Sequence, residues 1–396
     1  MNTLIVRLLS GLMAIAALAG CLPAPAPTPS AADRVPPTLA APDWRAPSAP
    51  LTRDSLATVS LLGRLDQPDA ASTLFDDAIT PDGSRMAALS NDELLVWNLA
   101  AGARLWHTAR SEATRVLFLP DSSAPFTVDN SGTLRFYDGA TGAAIGVIAG
   151  HAAYGDALAY AADRGLLALG GSDGTIRLWD MTLREPLADL QVGARRITAL
   201  AFSPDGAALA AAGADQVTVF AWQTGQVSAD LALTAMTPSR LAFSSDGDRL
   251  ALGAQSGVLL WDWRVEAEAV VLEGSAAQVV LFAPSGRYLV GGSRAEGLTL
   301  WDAGNGARVT ALPGTQGAQI SAAFAPETDL LLTSALDGAV AVWDLDRIDG
   351  QSVSRAELPA GTTRILRARW SPDDLRLLLF DAAGPVYVWG QGEPRP

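Results

Sequence analysis

Hydrophobic and polar residues alternate with period two in short bursts along most of the chain, the spacing of half-buried strands. In Thr175-Ile176-Arg177-Leu178-Trp179-Asp180, Ile176 and Leu178 alternate with Thr175 and Arg177. The burst follows Asp173-Gly174, which supplies the positive-φ positions of a tight hairpin. Equivalent bursts end at Trp97-Asn98, Tyr137-Asp138, Trp179-Asp180, Trp222-Gln223, Trp261-Asp262, Trp301-Asp302, Trp343-Asp344 and Trp389-Gly390, separated by 40, 42, 43, 39, 40, 42 and 46 residues. A second signal keeps a fixed phase with the first, a turn after an apolar strand. It reads Thr80-Pro81-Asp82-Gly83, Ser203-Pro204-Asp205-Gly206, Ser244-Ser245-Asp246-Gly247, Ala283-Pro284-Ser285-Gly286 and Ser371-Pro372-Asp373-Asp374. The pattern predicts an all-β chain of eight repeated units over residues 56–392.

Two motifs at this period resemble the WD40 repeat, in which each unit is one four-stranded blade of a β-propeller. The resemblance implies an eight-bladed ring in which each terminal aromatic, such as Trp179, packs between neighbouring blades. Only three strands fit into the last unit before Pro394 and Pro396, whereas Leu56–Leu65 precedes the first unit with Val59, Leu61 and Leu65 alternating. That N-terminal strand is therefore expected to complete the last blade and hide its open edge. The family's Gly-His pair occurs once, at Gly150-His151, so its buried polar network is expected in one blade only, from His151, Asp173 and Trp179. Leu169 stands there in place of the usual hydroxyl residue.

The N-terminus follows a different pattern. Arg7 precedes an apolar run from Leu8 to Ala19, too short to span a membrane. The run ends in Leu18-Ala19-Gly20-Cys21, which resembles the lipobox of bacterial lipoproteins. That resemblance implies that residues 1–20 are a signal peptide and that Cys21 is lipidated. An ordinary signal peptide would leave the position of the chain's one cysteine unexplained. Residues 21–55 are rich in proline and alanine and are expected to form an extended tether, with 393–396 a short tail. The expected location is the bacterial cell envelope, on the outer membrane facing the periplasm or on the outer side of the plasma membrane.

Composition narrows the function. Of 396 residues, 49% are hydrophobic, and the net charge of −14 argues against nucleic acid as a partner. All 28 basic residues are arginine. One cysteine and two histidines leave no disulfide and no cysteine zinc site. No catalytic residue, metal or cofactor is expected. The Asp-rich turns match no calcium loop and are explained by turn chemistry.

On the family pattern, partners meet the connections from each outer strand into the next blade. Arg115, Arg196, Arg240, Arg364 and Arg367 fall in or just after them. Arg115, Arg240 and Arg367 share one register, three residues before Phe118, Phe243 and Trp370, and Asp76 holds that register in the first unit. They are expected to form an arginine arc at the channel mouth that grips a carboxylate-bearing peptide or polymer, and to be replaceable by alanine without loss of stability. Solvated charge paired with Asp76 and Asp156 is the alternative. Arg85, Arg164, Arg249, Arg287 and Arg376 recur after the turns of the opposite face and are expected to be solvated. The expected protein is a monomeric, membrane-anchored, non-catalytic scaffold for protein or peptide partners. The alternative is an accessory lipoprotein of an envelope or outer-membrane assembly machine, and an enzyme built on channel carboxylates is the least supported reading.

Overall fold

The computed structural model describes residues 44–392 except 66–72, 111, 121, 152–153, 194–195, 235, 266–267, 273–276, 294–296, 313–318, 336–338, 350–351, 359–364 and 383. The chain divides into two units, Met1–Val35 and Pro36–Pro396. The first, with Cys21 and the expected signal peptide, lies outside the described residues, as does the expected tail.

The second unit holds eight four-stranded antiparallel sheets. Seven are meanders of consecutive strands, and we number these blades 1 to 7 from the N-terminus. Their inner strands are Asp76–Ile79, Ala113–Phe118, Tyr154–Ala161, Ala199–Phe202, Arg240–Phe243, Val279–Phe282 and Gln319–Phe324. Blade 8 runs outward from Ile365–Trp370 through Arg376–Asp381 and Val386–Gly390 to Ser60–Leu65. The N-terminal strand thus completes the last blade, as the sequence predicts. It pairs antiparallel with the last strand, Leu61 opposite Trp389 and Leu65 opposite Val386. The fold is an all-β, eight-bladed β-propeller of WD40 type.

Apolar packing between blades supplies the core. Trp179 of blade 3 lies among Leu119, Phe126 and Phe136 of blade 2, and Trp97, Trp301 and Trp343 are almost wholly buried. In blades 1, 2, 3, 4, 6 and 8 the outer strand slips by one residue beside the terminal aromatic. Such a bulge bends the strand and increases its twist. On the face opposite the entry connections, Thr80, Ser203, Ser244 and Ser371 bond through their hydroxyls to Asp82, Asp205, Asp246 and Asp373 two residues on. These bonds hold the Asp82, Asp205 and Asp246 carboxyls below their ordinary range.

Four details depart from the sequence reading. First, the terminal aromatic of blade 4 is Phe220 rather than Trp222. Phe220 faces Leu209, as Trp179 faces Leu167 and Trp261 faces Leu250, which makes both adjoining repeats 41 residues long. Trp222 instead donates its indole N–H to the Gly206 carbonyl at 2.8 Å.

Second, residues Arg53–Thr58 form a 3-10 helix and the closing strand begins only at Ser60. The bulge turns Leu61 outward, 41% exposed, and buries Leu62 in its place, while Leu65 is buried as expected. Third, residues 44–55 lie on the ring instead of extending away from it. The Trp44 indole donates to Ala100 O at 2.9 Å, Ser48 N to Gln391 O at 2.7 Å and Leu51 N to Asp374 O at 2.7 Å. Leu51 is buried in the core between blades 7 and 8, and Arg53 pairs with Asp344 at 2.7 Å. Proline keeps this arm out of a ladder, yet its backbone still finds partners on the ring.

Fourth, the polar network is divided between two blades. His151 is buried in blade 3 with Nε2 3.0 Å from the Thr175 carbonyl oxygen and 4.0 Å from Asp173, but among the described residues the Trp179 indole N–H has no hydrogen-bond acceptor. The hydroxyl that Leu169 cannot supply appears in blade 7, where Thr333 accepts the Trp343 indole N–H at 2.9 Å.

Candidate functional site

The inner strand of blade 1 organises the channel mouth on the entry face. Its approach residue Phe75 is 36% exposed. The Arg110 guanidinium covers the ring, 5.0 Å from its centroid, and Arg110 also donates to the Ser90 carbonyl at 3.4 Å. One face of Phe75 is thereby held by a cation while its edge meets solvent.

Asp76 and Asp77 follow. Asp76 accepts the Val116 backbone N–H of blade 2 at 2.7 Å. Blade 7 repeats this link, Ser321 Oγ accepting the Ala368 N–H of blade 8 at 2.9 Å. The register that carries arginine in three blades therefore holds inter-blade acceptors in two others. Burial first, and the neighbouring Asp77 charge, push the Asp76 carboxyl up from 3.8 to about 6, against the lowering effect of the Val116 N–H, Arg115 and Arg367.

The candidate arginines differ in what they do. Arg367 of blade 8 spans the closing seam, donating to Phe75 O at 2.8 Å and Leu74 O at 3.2 Å and lying 3.1 Å from buried Asp77. Arg369 holds the other Asp77 oxygen at 3.2 Å. Arg115 is half-buried, donates to Thr114 O at 3.0 Å and contributes to the field at Asp76. Arg240 is exposed in blade 5 and donates to Ser239 O at 2.7 Å, and Arg196 is exposed at the entrance to blade 4. Arg364 lies outside the described residues, and so does the side chain of Asp156. Arg115 and Arg367 thus both act on Asp76 of blade 1, whereas Arg196 and Arg240 belong to blades 4 and 5 on the far side of the ring. The expectation that Arg367 is replaceable without loss of stability fails on these contacts.

Sequence reasoning missed Phe75, Arg110 and Arg369. The signal was present, an aromatic in a connection where polar residues prevail. The arginines of the opposite face are not uniformly solvated, contrary to expectation. Arg85 donates to Gly139 O of blade 2, Arg249 to Ala303 O of blade 6 at 2.6 Å, and Arg376, 3% exposed, to Gly83 O of blade 1 at 3.3 Å. These three tie adjacent blades together, and only Arg164 and Arg287 face solvent as expected. Among the described residues no group of three His, Cys, Asp or Glu side chains could hold a metal ion, and no helix is long and apolar enough to cross a membrane.

Comparison with known proteins agrees with this architecture. The family model described as WD domain, G-beta repeat matches residues 143–180, 185–219 and 306–344. The chain matches no curated protein. Among solved structures it is similar to the computationally designed Ika8 protein, with TM-score 0.66, 23% identity, and coverage of 81% of this chain and 96% of that one. It is also similar to the C-terminal WD40 domain of Sif2, with TM-score 0.66, 13% identity and coverage of 84% and 98%. A chain of a mitotic checkpoint complex matches with TM-score 0.54, 19% identity and coverage of 87% and 99%. Identities this low speak for the fold alone. The three matched stretches and the eight four-stranded sheets agree on the fold, an eight-bladed β-propeller of WD40 type.

Proposed function

We propose that this protein is a non-catalytic scaffold, exported and lipid-anchored through Cys21, that binds protein or peptide partners at the channel mouth of its entry face. WD40 propellers commonly serve as interaction scaffolds. The observation that carries the reading is Phe75 beneath Arg110, with Arg115 and Arg369 close by in the ring. Aromatic and arginine side chains dominate the energetic centres of protein interfaces, and a half-exposed ring pinned by a cation needs little further ordering on binding. Arg115 and Arg369 offer guanidinium donors to a carboxylate on the partner.

The anchor is supported by the apolar run that ends at Leu18-Ala19-Gly20-Cys21 and by the absence of any other cysteine in the chain. The envelope location follows from the same residues. The test is capture from detergent-solubilised membranes, comparing the wild-type chain with Phe75→Ser/Arg110→Ala. A partner retained by the wild type and lost by the variant supports the proposal. Equal capture by both, with both folded, overturns it.

A further inference from the structure

At the outer ends of two grooves between blades an indole fills the space, and the next groove carries an arginine instead. Between blades 8 and 1 the Trp44 indole lies across Gly63 and Gly102. Between blades 1 and 2 the Trp106 indole lies on Gly142, stacks with Tyr137 at 6.4 Å and donates to Gly139 O at 3.1 Å. Gly63 faces Val388 and Trp106 faces Val96, so the two indoles fill one register, from the arm in one case and from the outer strand in the other. The glycine under each indole ends the turn from third to outer strand, with φ +62° at Gly102 and +73° at Gly142. Gly225 and Gly306 repeat it in blades 4 and 6.

Blade 3 places Arg184 at this position, at φ +59°. A residue that carries a Cβ is uncommon in the left-handed region, and the conformation persists where the surroundings impose it. The Arg184 guanidinium lies 4.9 Å from the centroid of Phe136 in blade 2. Phe136 faces Gly146, the register of Gly63 and Trp106, so no outer-strand side chain covers it there. The cation–π contact uses one face of the guanidinium, and among the described residues no hydrogen bond engages its in-plane N–H donors. Arg184 is exposed, and among the described residues no carboxylate stands within ion-pair distance of it. Leu183, next to it in the chain, is 66% exposed, and Ile145 and Leu187 on the outer strands of blades 2 and 3 are 52% and 42% exposed.

We propose that the outer end of the groove between blades 2 and 3 docks an extended segment of a partner protein carrying a carboxylate flanked by aliphatic side chains. The carboxylate takes the in-plane donors of Arg184, and the aliphatic residues pack on Leu183, Leu187 and Ile145. This surface is separate from the channel mouth and does not depend on it.

A random peptide display library selected on the whole protein tests the assignment. Arg184→Gly is the informative variant, because it installs the glycine that four other blades use there and so preserves the turn. The expected clones carry Asp or Glu beside Leu, Ile or Val. They bind about tenfold or more weakly to Arg184→Gly, as loss of a charge-assisted pair implies. They recover in part on Arg184→Lys, and keep their affinity for Phe75→Ser/Arg110→Ala. Leu183→Asp, at an exposed site, should abolish them without altering the fold. The assignment is overturned if no clone depends on Arg184, if dependent clones lack acidic residues, or if Phe75→Ser/Arg110→Ala weakens them equally. Arg184-dependent binding of phosphatidylglycerol vesicles without such clones would also overturn it, by making the surface a lipid contact.

Discussion

Trp44 and Gly63 should behave as a coupled pair, because an added Cβ at Gly63 would come 2.5 Å from Cε3 of the Trp44 ring. Truncating a buried Phe or Trp to alanine costs about 3–5 kcal/mol, and Trp44 is half-buried, so Trp44→Ala should cost about 2 kcal/mol. The lost indole bond to Ala100 adds about 1 kcal/mol. Gly63→Ala overpacks the site in the wild-type chain and should cost about 1–3 kcal/mol. In the Trp44→Ala background the new methyl meets no indole, and Gly63→Ala should be neutral or slightly stabilising, since alanine suits a strand better than glycine. The coupling is therefore about 1–3 kcal/mol, and a double-mutant cycle by urea denaturation reads it. Hydrogen exchange at Ser60–Leu65 supplies the local readout, because the arm bonds to this strand through Arg45 N and Leu62 O at 2.9 Å. Trp44→Ala should accelerate exchange there more than in blade 4. If Gly63→Ala costs the same in both backgrounds, the arm is not seated in that groove.

Other outcomes follow from the same contacts. Arg367→Ala should cost about 2–4 kcal/mol, since it strips one of two cations from buried Asp77, whereas Arg240→Ala should change stability by less than about 0.5 kcal/mol; thermal melts separate them. Arg376→Ala should likewise cost about 2–4 kcal/mol and Arg287→Ala almost nothing, since Arg376 is buried against Gly83 O and Asp373 while Arg287 is exposed. Asp76 and Asp374 both have carboxyls raised from 3.8 to about 6, chiefly by burial. The folded state then binds more protons than the unfolded one between these values, so this contribution is full below about pH 4 and is lost as pH rises through about 6. Each Asn variant should remove part of that slope in melts taken across the window, and the double variant most of it. Cys21→Ser should move the protein from the membrane fraction to the soluble fraction, read by fractionation of cells expressing each form.

The architecture was legible because it repeats. A turn and a terminal aromatic in fixed phase reveal blade number, strand order and closing strand, since each unit must solve the same packing problem. What repeats less was misread. Trp222 masked Phe220 because two aromatics two residues apart share a strand face, and only pairing with Leu209 decides between them. The arm was read as a tether because its prolines forbid ladders; that it docks depends on Gly63 and Gly102, far away in sequence. Of the candidate site, the register of Arg115 and Arg367 was visible, but their partners were not. Whether an arginine is free or committed depends on carbonyls such as Leu74 O and Phe75 O, which carry no sequence signature.

In a repeat protein, a departure from the common pattern points either to structural compensation or to a surface reserved for something else, and the molecule itself separates the two. Gly63 departs from the register of Trp106, and the chain fills the gap with Trp44. Asp76 departs from the arginine register, and the Val116 N–H satisfies it. Both departures are closed from within. Arg184 and Phe75 are not: each couples a cation to a ring, at 4.9 Å and 5.0 Å, and leaves donors or a ring edge at the surface. Alanine at Asp76 or Trp44 should therefore cost stability before it costs binding. At Phe75 or Arg184 the order should reverse, with partner affinity lost while the melting temperature holds.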